Sequence, residues 1–460
     1  MKQSSSFVKR LGFIKPCLFK YFSTRHKPQT LFRRMMLCHN TSLLENTTDW
    51  TLPKSAYIHI PFCVRKCLYC DFAVVAGTTN LNLYDTYIEH LLKEIETTLS
   101  YFKRKYQKLP ALETLYIGGG TPSVLSYIHL QRIVDKLQQY VDFAPTSEFT
   151  VEMDPGTFDL SKARQFRNLG VNRVSIGVQS FDDNLLKLCG RSHNSKQVYM
   201  AWDILRTAGF TNLSLDLMSG LPYQSEEIFR DSIEKAISLD PEHLSCYDLI
   251  IEQSTPFGKK YQSGVFPLPS EDEAACMYIL ASSRLREQGY EHYEISNYGK
   301  PAYLSKHNQT YWKNQSYYGF GMSATSYTEM KRFTRPRKLV PYFEWVKQLE
   351  KRKGELECPQ ESLREQAVDT LILGLRMKQG ISLNTFTKLY GQSISQLVID
   401  ASQPWITSGH MLEIYNRNGQ LEGLALKDPE GFLLQNSILI SLLEKSLWTT
   451  NSSTYPVTLS

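Results

Sequence analysis

Ala56-Tyr-Ile-His-Ile60-Pro-Phe-Cys63-Val-Arg-Lys-Cys67-Leu-Tyr-Cys70-Asp-Phe72 joins a short apolar run to three closely spaced cysteines. Ala56–Ile60 has the length and β-branched content of a buried strand. The proline that follows ends it, so the cysteines sit on a loop at its C-terminal end. The pattern repeats downstream. Strands are expected at Ala56–Ile60, Thr114–Ile117, Phe149–Glu152, Arg173–Gly177, Leu213–Met218 and Leu244–Leu249. Amphipathic helical patterns fill the gaps at about 81–104, 126–140, 159–169, 195–208, 225–238 and 271–288. Strands alternating with helices of this length predict βα units and a parallel sheet. Six units fall short of a closed eight-fold barrel, so the expected fold is α/β, a partial (β/α)6 TIM-like barrel.

Such barrels place their chemistry on the loops after the strands, and the unusual residues gather there. Pro61-Phe62-Cys63 follows the first strand, and Gly118-Gly119-Gly120-Thr121-Pro122 the second. Asp154-Pro155-Gly156, Gln179-Ser180-Phe181 and Ser219-Gly220-Leu221-Pro222 follow the third, fourth and fifth. From about residue 330 the rhythm changes to helical patterns at Glu344–Glu357, Glu365–Met377 and Asn436–Trp448. A smaller, mainly α C-terminal domain is expected there.

Composition sets the limits. Hydrophobic residues at 42% and charged residues at 21% exclude a disordered, collagenous or coiled-coil chain. The 460 residues carry 52 Lys+Arg against 46 Asp+Glu, a net +6. Residues 1–44 hold nine of the cations (Lys2, Lys9, Arg10, Lys15, Lys20, Arg25, Lys27, Arg33, Arg34) and no acid. The remainder has 43 basic against 46 acidic residues. Nucleic-acid binding through bulk charge therefore loses its support. A Ser- and Arg-rich, acid-free N-terminus has the composition of a mitochondrial transit peptide, which predicts a matrix location. No apolar run is long enough to span a membrane.

The chain has nine cysteines, an odd number in a compartment expected to be reducing, so a disulfide framework is not expected. Cys63, Cys67 and Cys70 stand apart from the rest by spacing. Three thiolates at spacings of four and three suit three corners of an iron–sulfur cube, leaving the fourth iron open. Zinc, which normally takes four protein ligands, and coincidence are the rival readings on residue types alone.

The segment Tyr57–Phe72 resembles the signature of the radical S-adenosylmethionine (SAM) superfamily. The resemblance implies a 4Fe–4S cluster on Cys63, Cys67 and Cys70, with SAM chelating the open iron and yielding a 5′-deoxyadenosyl radical. It also implies SAM contacts at Tyr57, Gly118, Gly119, Gly120, Thr121, Glu152, Gln179, Arg191 and Asp216. Each of these is by itself also an ordinary polar or turn residue at a barrel rim.

Gly170–Asp183 and Leu215–Pro222 are similar to the coproporphyrinogen dehydrogenase-like branch of the superfamily. True oxygen-independent coproporphyrinogen III dehydrogenases carry a fourth cysteine two residues past the third, where this chain has Phe72. The HemW heme chaperones have Phe there, and a His-Asn-x-x-Tyr-Trp motif found here as His307-Asn308-Gln309-Thr310-Tyr311-Trp312. The match is close to the mitochondrial animal members, with Asp154 a departure where many relatives have Asn.

By this resemblance the domains are a transit peptide at 1–44, a radical SAM core at 50–290, a connecting segment with the motif at 291–340 and a helical domain at 341–450. The implied task is to bind heme as cargo and deliver it to respiratory haem proteins, with an electron donor for the cluster. A homodimer is compatible with it. Cofactor cleavage would serve delivery rather than coproporphyrinogen oxidation. Two alternatives stand beside this reading: a coproporphyrinogen III dehydrogenase, and a cluster-bearing scaffold without radical chemistry. His307 is a candidate axial ligand for heme, Tyr311 and Trp312 candidate faces for the porphyrin, and Lys331, Arg332, Arg335, Arg337 and Lys338 candidate partners of its propionates. A hydrogen-bonded core histidine among packing aromatics is the competing reading of the same residues.

Overall fold

The structure is a computed structural model, described over residues 51–77 and 80–446. The basic segment 1–44 lies outside the described residues. Six strands, β1 (Ser55–Ile60), β2 (Leu112–Gly119), β3 (Phe143–Met153), β4 (Arg173–Gln179), β5 (Leu213–Ser219) and β6 (His243–Asp248), lie side by side in chain order, all parallel. Each expected strand is present, the first five extended by one to seven residues and the sixth, expected at Leu244–Leu249, shifted by one to His243–Asp248. Helices α1 (Leu81–Tyr106), α2 (Tyr127–Gln138), α3 (Leu160–Asn168), α4 (Asp183–Leu188), α5 (Ser195–Thr207), α6 (Glu226–Ser238) and α7 (Glu271–Glu287) occupy the crossovers and the segment after β6. Side chains that accept from the first turn start them: Ser126, Asp159, Asp182, Asn194, Ser225 and Ser270. Among the described residues up to α7, two short α-helices have no counterpart among the expected ones, α4 with six residues and Pro256–Lys260 with five; both are too short to show a period.

Alternation divides each strand between two environments. In β1, Ala56, Ile58 and Ile60 are fully buried in the main hydrophobic core. Tyr57 and His59 point the other way, into the barrel. The register stacks the interior in layers: Tyr57, Tyr116, Thr150 and Arg173 form one, and His59, Gly118, Glu152 and Ser175 the next toward the mouth. This interior is polar, unlike the branched apolar filling of a closed barrel.

The segment 291–340, expected as a connector, is built into the barrel. Strands β7 (Glu291–Glu294) and β8 (Asn297–Gly299) extend the sheet beyond β6 in antiparallel fashion. Strand β9 (Tyr318–Phe320) pairs in parallel with the opposite edge, β1. Helix α8 (Lys306–Trp312) closes the floor: the Lys306 and His307 amides donate to the Glu148 carboxylate at 3.1 and 3.0 Å. Helix α9 (Leu339–Lys351) also packs on the barrel, burying Tyr342 and Val346 in the main core beside α1.

A second core begins with the helix Leu363–Gly374 and includes the helices Leu383–Tyr390, Gln392–Thr407 and Gln435–Ser446. This domain is mainly helical, as expected, but it carries a three-stranded antiparallel sheet of Ile381–Ser382, Leu421–Leu426 and Met411–Tyr415. Among the described residues no helix is long and apolar enough to cross a membrane.

Candidate cofactor site at the barrel mouth

The cysteine loop leaves β1 at the mouth and is pinned from three sides. The Gly120 and Thr121 amides donate to Ile60 O and Phe62 O, both at 2.7 Å. The Leu68 amide donates to Cys189 O at 2.9 Å, and the Phe257 amide to Leu68 O at 3.0 Å. Arg337 reaches the Asp71 backbone carbonyl and carboxylate. All three cysteines are free thiols. Burial pushes Cys63 up to about 12 and Cys70 up to about 11. Both are therefore neutral at physiological pH, and a bound metal would have to displace their protons.

The Gly-rich loop is in contact with the cysteines. A Cβ on Gly120 would lie 2.7 Å from Phe62 O and 3.0 Å from Cys63 Sγ. A Cβ on Gly119, which has φ +117°, would lie 2.5 Å from the His59 ring. His59 Nε2 lies 3.1 Å from Ala73 O and must donate to it, so its Nδ1 accepts from the Tyr57 hydroxyl at 3.1 Å. Burial holds His59 down at about 4, hence neutral. The Tyr57 hydroxyl is thus engaged with His59, one layer below the mouth.

Glu152 is oriented by two donors: the Gly119 amide at 2.9 Å and the Tyr116 hydroxyl at 2.8 Å. Burial nevertheless raises it to about 7, with the Asp216 and Asp154 charges adding to the rise. Asp216, opposite Gly177 in the register of β4 and β5, is held by Ser175 at 3.0 and 3.2 Å, and burial raises it to about 6. Both groups hold their protons more tightly folded than unfolded. The stability this gives is complete below the unfolded carboxyl values and is lost as pH rises, for Glu152 between about 4.5 and about 7. Glu152→Gln should remove that part of the slope, leaving urea midpoints measured from pH 4.5 to 7.5 flatter than those of the parent.

Arg191 joins the loops. Its Nη2 donates to Asp154 Oδ1 at 2.8 Å and to Gly177 O at 2.6 Å, and its Nη1 to Cys67 Sγ at 3.3 Å. Asp154, on the loop after β3, is the carboxylate that places this guanidinium. Its role could be read only from the pairing, since nothing in the spacing links residues 154 and 191. Gln179, the last residue of β4, has φ +69°, an unfavourable conformation for a side-chain-bearing residue. Its Oε1 and the Arg191 Nε are buried without a hydrogen-bond partner. Two orphaned polar atoms, a glycine cradle and three thiols at one strand-end surface fit a polar cofactor laid beside a cluster.

His307 is not part of this surface. It is 1% exposed, at the floor, and both ring nitrogens are hydrogen bonded: Nδ1 with Thr114 Oγ1 at 2.7 Å and Nε2 with the Tyr311 hydroxyl at 2.8 Å. Its ring stacks on Tyr116, and burial lowers it to about 3. No lone pair faces a space that could hold a porphyrin, so the expectation of an axial ligand here is corrected to that of a satisfied core histidine. The neighbouring groups are engaged as well. The Arg376 guanidinium covers Trp312 at 4.4 Å from the ring centroid. Arg332 pairs with Glu361 and Asp369, Arg335 with Glu94, and Arg337 with Asp71. His307→Ala should lower stability by roughly 2–4 kcal/mol, because two buried hydroxyls lose their partner, and should leave heme titration unchanged.

Residues 57–236 match the Radical SAM superfamily and residues 362–421 the HemN C-terminal domain. The heme chaperone HemW of Synechocystis is 37% identical, covering 86% of this chain and 98% of its own. A zebrafish protein named radical S-adenosyl methionine domain-containing protein 1, mitochondrial, is 28% identical over 78% of this chain and 81% of its own. The structure of coproporphyrinogen III oxidase (HemN) from Escherichia coli superposes with a TM-score of 0.71 at 20% identity, covering 85% of this chain and 90% of that one. The last likeness establishes the shared fold, a radical SAM barrel with a C-terminal helical domain. Identity at this level along nearly the whole length of a heme chaperone establishes more: this chain belongs to the HemW family within the radical SAM superfamily.

Proposed function

We propose that this protein is a heme chaperone that binds heme and passes it to respiratory haem proteins in the mitochondrial matrix. The observation that carries the reading is the 37% identity along 98% of the Synechocystis heme chaperone. Phe72 supports it: 61% exposed at the end of the cysteine loop, it offers no fourth thiol where coproporphyrinogen dehydrogenases have one. Cys63, Cys67 and Cys70 would hold a 4Fe–4S cluster whose open iron binds SAM, and reductive cleavage of that SAM gives a 5′-deoxyadenosyl radical. Gly118 to Thr121 would let the backbone approach the cofactor, with Glu152, Gln179 and Arg191 as polar partners at the mouth. Asp216, opposite Gly177, would add a further carboxylate, and Tyr57 lies one layer deeper. A mitochondrial location is supported by the acid-free N-terminus and by the mitochondrial zebrafish relative.

The test is one anaerobic sample of residues 45–460 with a reconstituted cluster, on which heme binding, SAM cleavage and coproporphyrinogen turnover are all measured. Heme binding without coproporphyrinogen turnover is the expected result. Turnover to protoporphyrinogen without heme binding would overturn the chaperone reading.

A further inference from the structure

With both nitrogens of His307 engaged, few imidazoles are left. Among the described residues His59, His129, His193, His243, His292 and His307 are all buried. His90 and His410 are half-buried. His410 lies at the end of a turn, with Nδ1 2.9 Å from the Ser408 hydroxyl. The setting of His90, on α1, is different. Its Nδ1 lies 2.8 Å from Thr86 O, one helical turn back. A carbonyl only accepts, so Nδ1 carries the proton and Nε2 carries the lone pair. Metal-bound histidines are commonly oriented by this arrangement, one ring N–H given to a backbone carbonyl and the other nitrogen presented outward. His90 Nε2 has no hydrogen-bond partner among the described residues.

The surroundings suit a flat, amphipathic, anionic ligand. The ring stacks on Phe343 of α9, with centroids 4.1 Å apart and planes at 21°. Tyr87–Tyr342, His90–Phe343 and Lys93–Glu350 contacts show α1 and α9 running in parallel. Thr86 and Leu83 therefore share the His90 face of α1 one and two turns back, while Leu339 and Val340 precede Phe343 on α9. Val340 is 76% exposed, an apolar side chain with nothing over it. Lys338, the exposed N-cap of α9, makes no side-chain cap, so the helix begins with free amides beside an ammonium. In the basic run 331–338, Arg332, Arg335 and Arg337 are paired with carboxylates and Lys331 reaches Leu356 O, whereas Lys338 is exposed at the start of α9.

The geometry points to His90 as the axial ligand of the heme, with the porphyrin against Val340 and Phe343 and a propionate at Lys338. This inference rests on the chaperone reading and gives it a site, on the outside of the barrel rather than in its mouth. Ferric heme is titrated into the cluster-loaded protein, and the Soret band and EPR spectrum are recorded for the parent, His90→Ala and Lys338→Glu. The parent is expected to show histidine-ligated heme. His90→Ala should lose that signature and bind at least ten-fold more weakly, with added imidazole restoring the spectrum. Lys338→Glu should weaken binding while keeping the His-ligated spectrum. Heme bound by His90→Ala with unchanged affinity and spectrum would overturn the assignment and leave the chaperone reading in place. Failure of the parent to bind heme would overturn the chaperone reading itself. Because His90 is half-buried on a helix surface, unchanged far-ultraviolet circular dichroism and iron content serve to separate loss of the ligand from loss of the fold.

Discussion

Cys67→Ser, purified and reconstituted without oxygen, is expected to lose the cluster, with iron and sulfide at background and SAM cleavage lower by at least ~100-fold. That exceeds the ~10–100-fold that removal of an outer partner costs a metal site. The comparison can be made in this same site, because Cys67 has such a partner. Arg191 Nη1 lies 3.3 Å from its sulfur, on a guanidinium fixed by Asp154 and Gly177 O. Arg191→Gln should keep iron but bind it about 10-fold more weakly. A positive group beside a thiolate also favours the reduced cluster, so the variant's reduction potential should be lower than the parent's. If Cys67→Ser kept a full complement of iron and its EPR signal, the assignment of this loop as cluster ligands would be wrong.

Glu94→Ala is the most destabilising single change expected in the scaffold, by about 3–5 kcal/mol. Glu94 is wholly buried on α1, and Arg335, 1% exposed, donates to it at 2.7 Å. The same carboxylate accepts from the Tyr342 hydroxyl at 2.7 Å and the Gly321 amide at 2.8 Å. Removing it leaves a buried guanidinium, a phenol and an amide without their acceptor. A domain of ordinary stability, 5–15 kcal/mol, would be left close to unfolding. By contrast Lys54–Glu113, with both side chains more than half exposed, should contribute at most about 1 kcal/mol. Urea denaturation of the two variants checks the difference. Glu94→Leu combined with Arg335→Met should recover part of the loss, because no isolated charge then remains.

The sequence was legible where burial imposes a period. In Ala56–Ile60 and Leu213–Met218 an aliphatic residue recurs at every second position, because one face of the strand packs in the core and the other faces the polar barrel interior, and such alternation marks strands wherever helices separate them. The cysteine and glycine loops were legible because their residue types are rare and fall at strand ends. Short elements escaped. Tyr318–Phe320 spans three residues, too few to show alternation, and Ile381–Ser382 only two. Glu94 reads as one more charge on a polar helix face, and nothing in α1 reveals that Arg335 waits for it. His307 misled for the converse reason. A histidine followed by Tyr and Trp describes a heme pocket and a packed barrel floor equally well, and only the Thr114 and Tyr311 hydroxyls decide between them. His90 lies in the charged stretch Glu89–Lys93, where spacing gives no hint of Phe343.

The pairing of β9 with β1 has a consequence for how the chain reaches this state. The outer edge of β1 is covered only by Tyr318–Phe320, so a polypeptide that emerges N-terminus first presents that edge bare until residue 320 has arrived. Every other parallel strand meets its neighbour after a single crossover. An uncovered edge beside apolar Ala56, Ile58 and Ile60 invites pairing with another nascent molecule. Barrel closure is therefore tied to late synthesis, and chains stopped near residue 300 should accumulate as aggregates rather than as a smaller folded barrel.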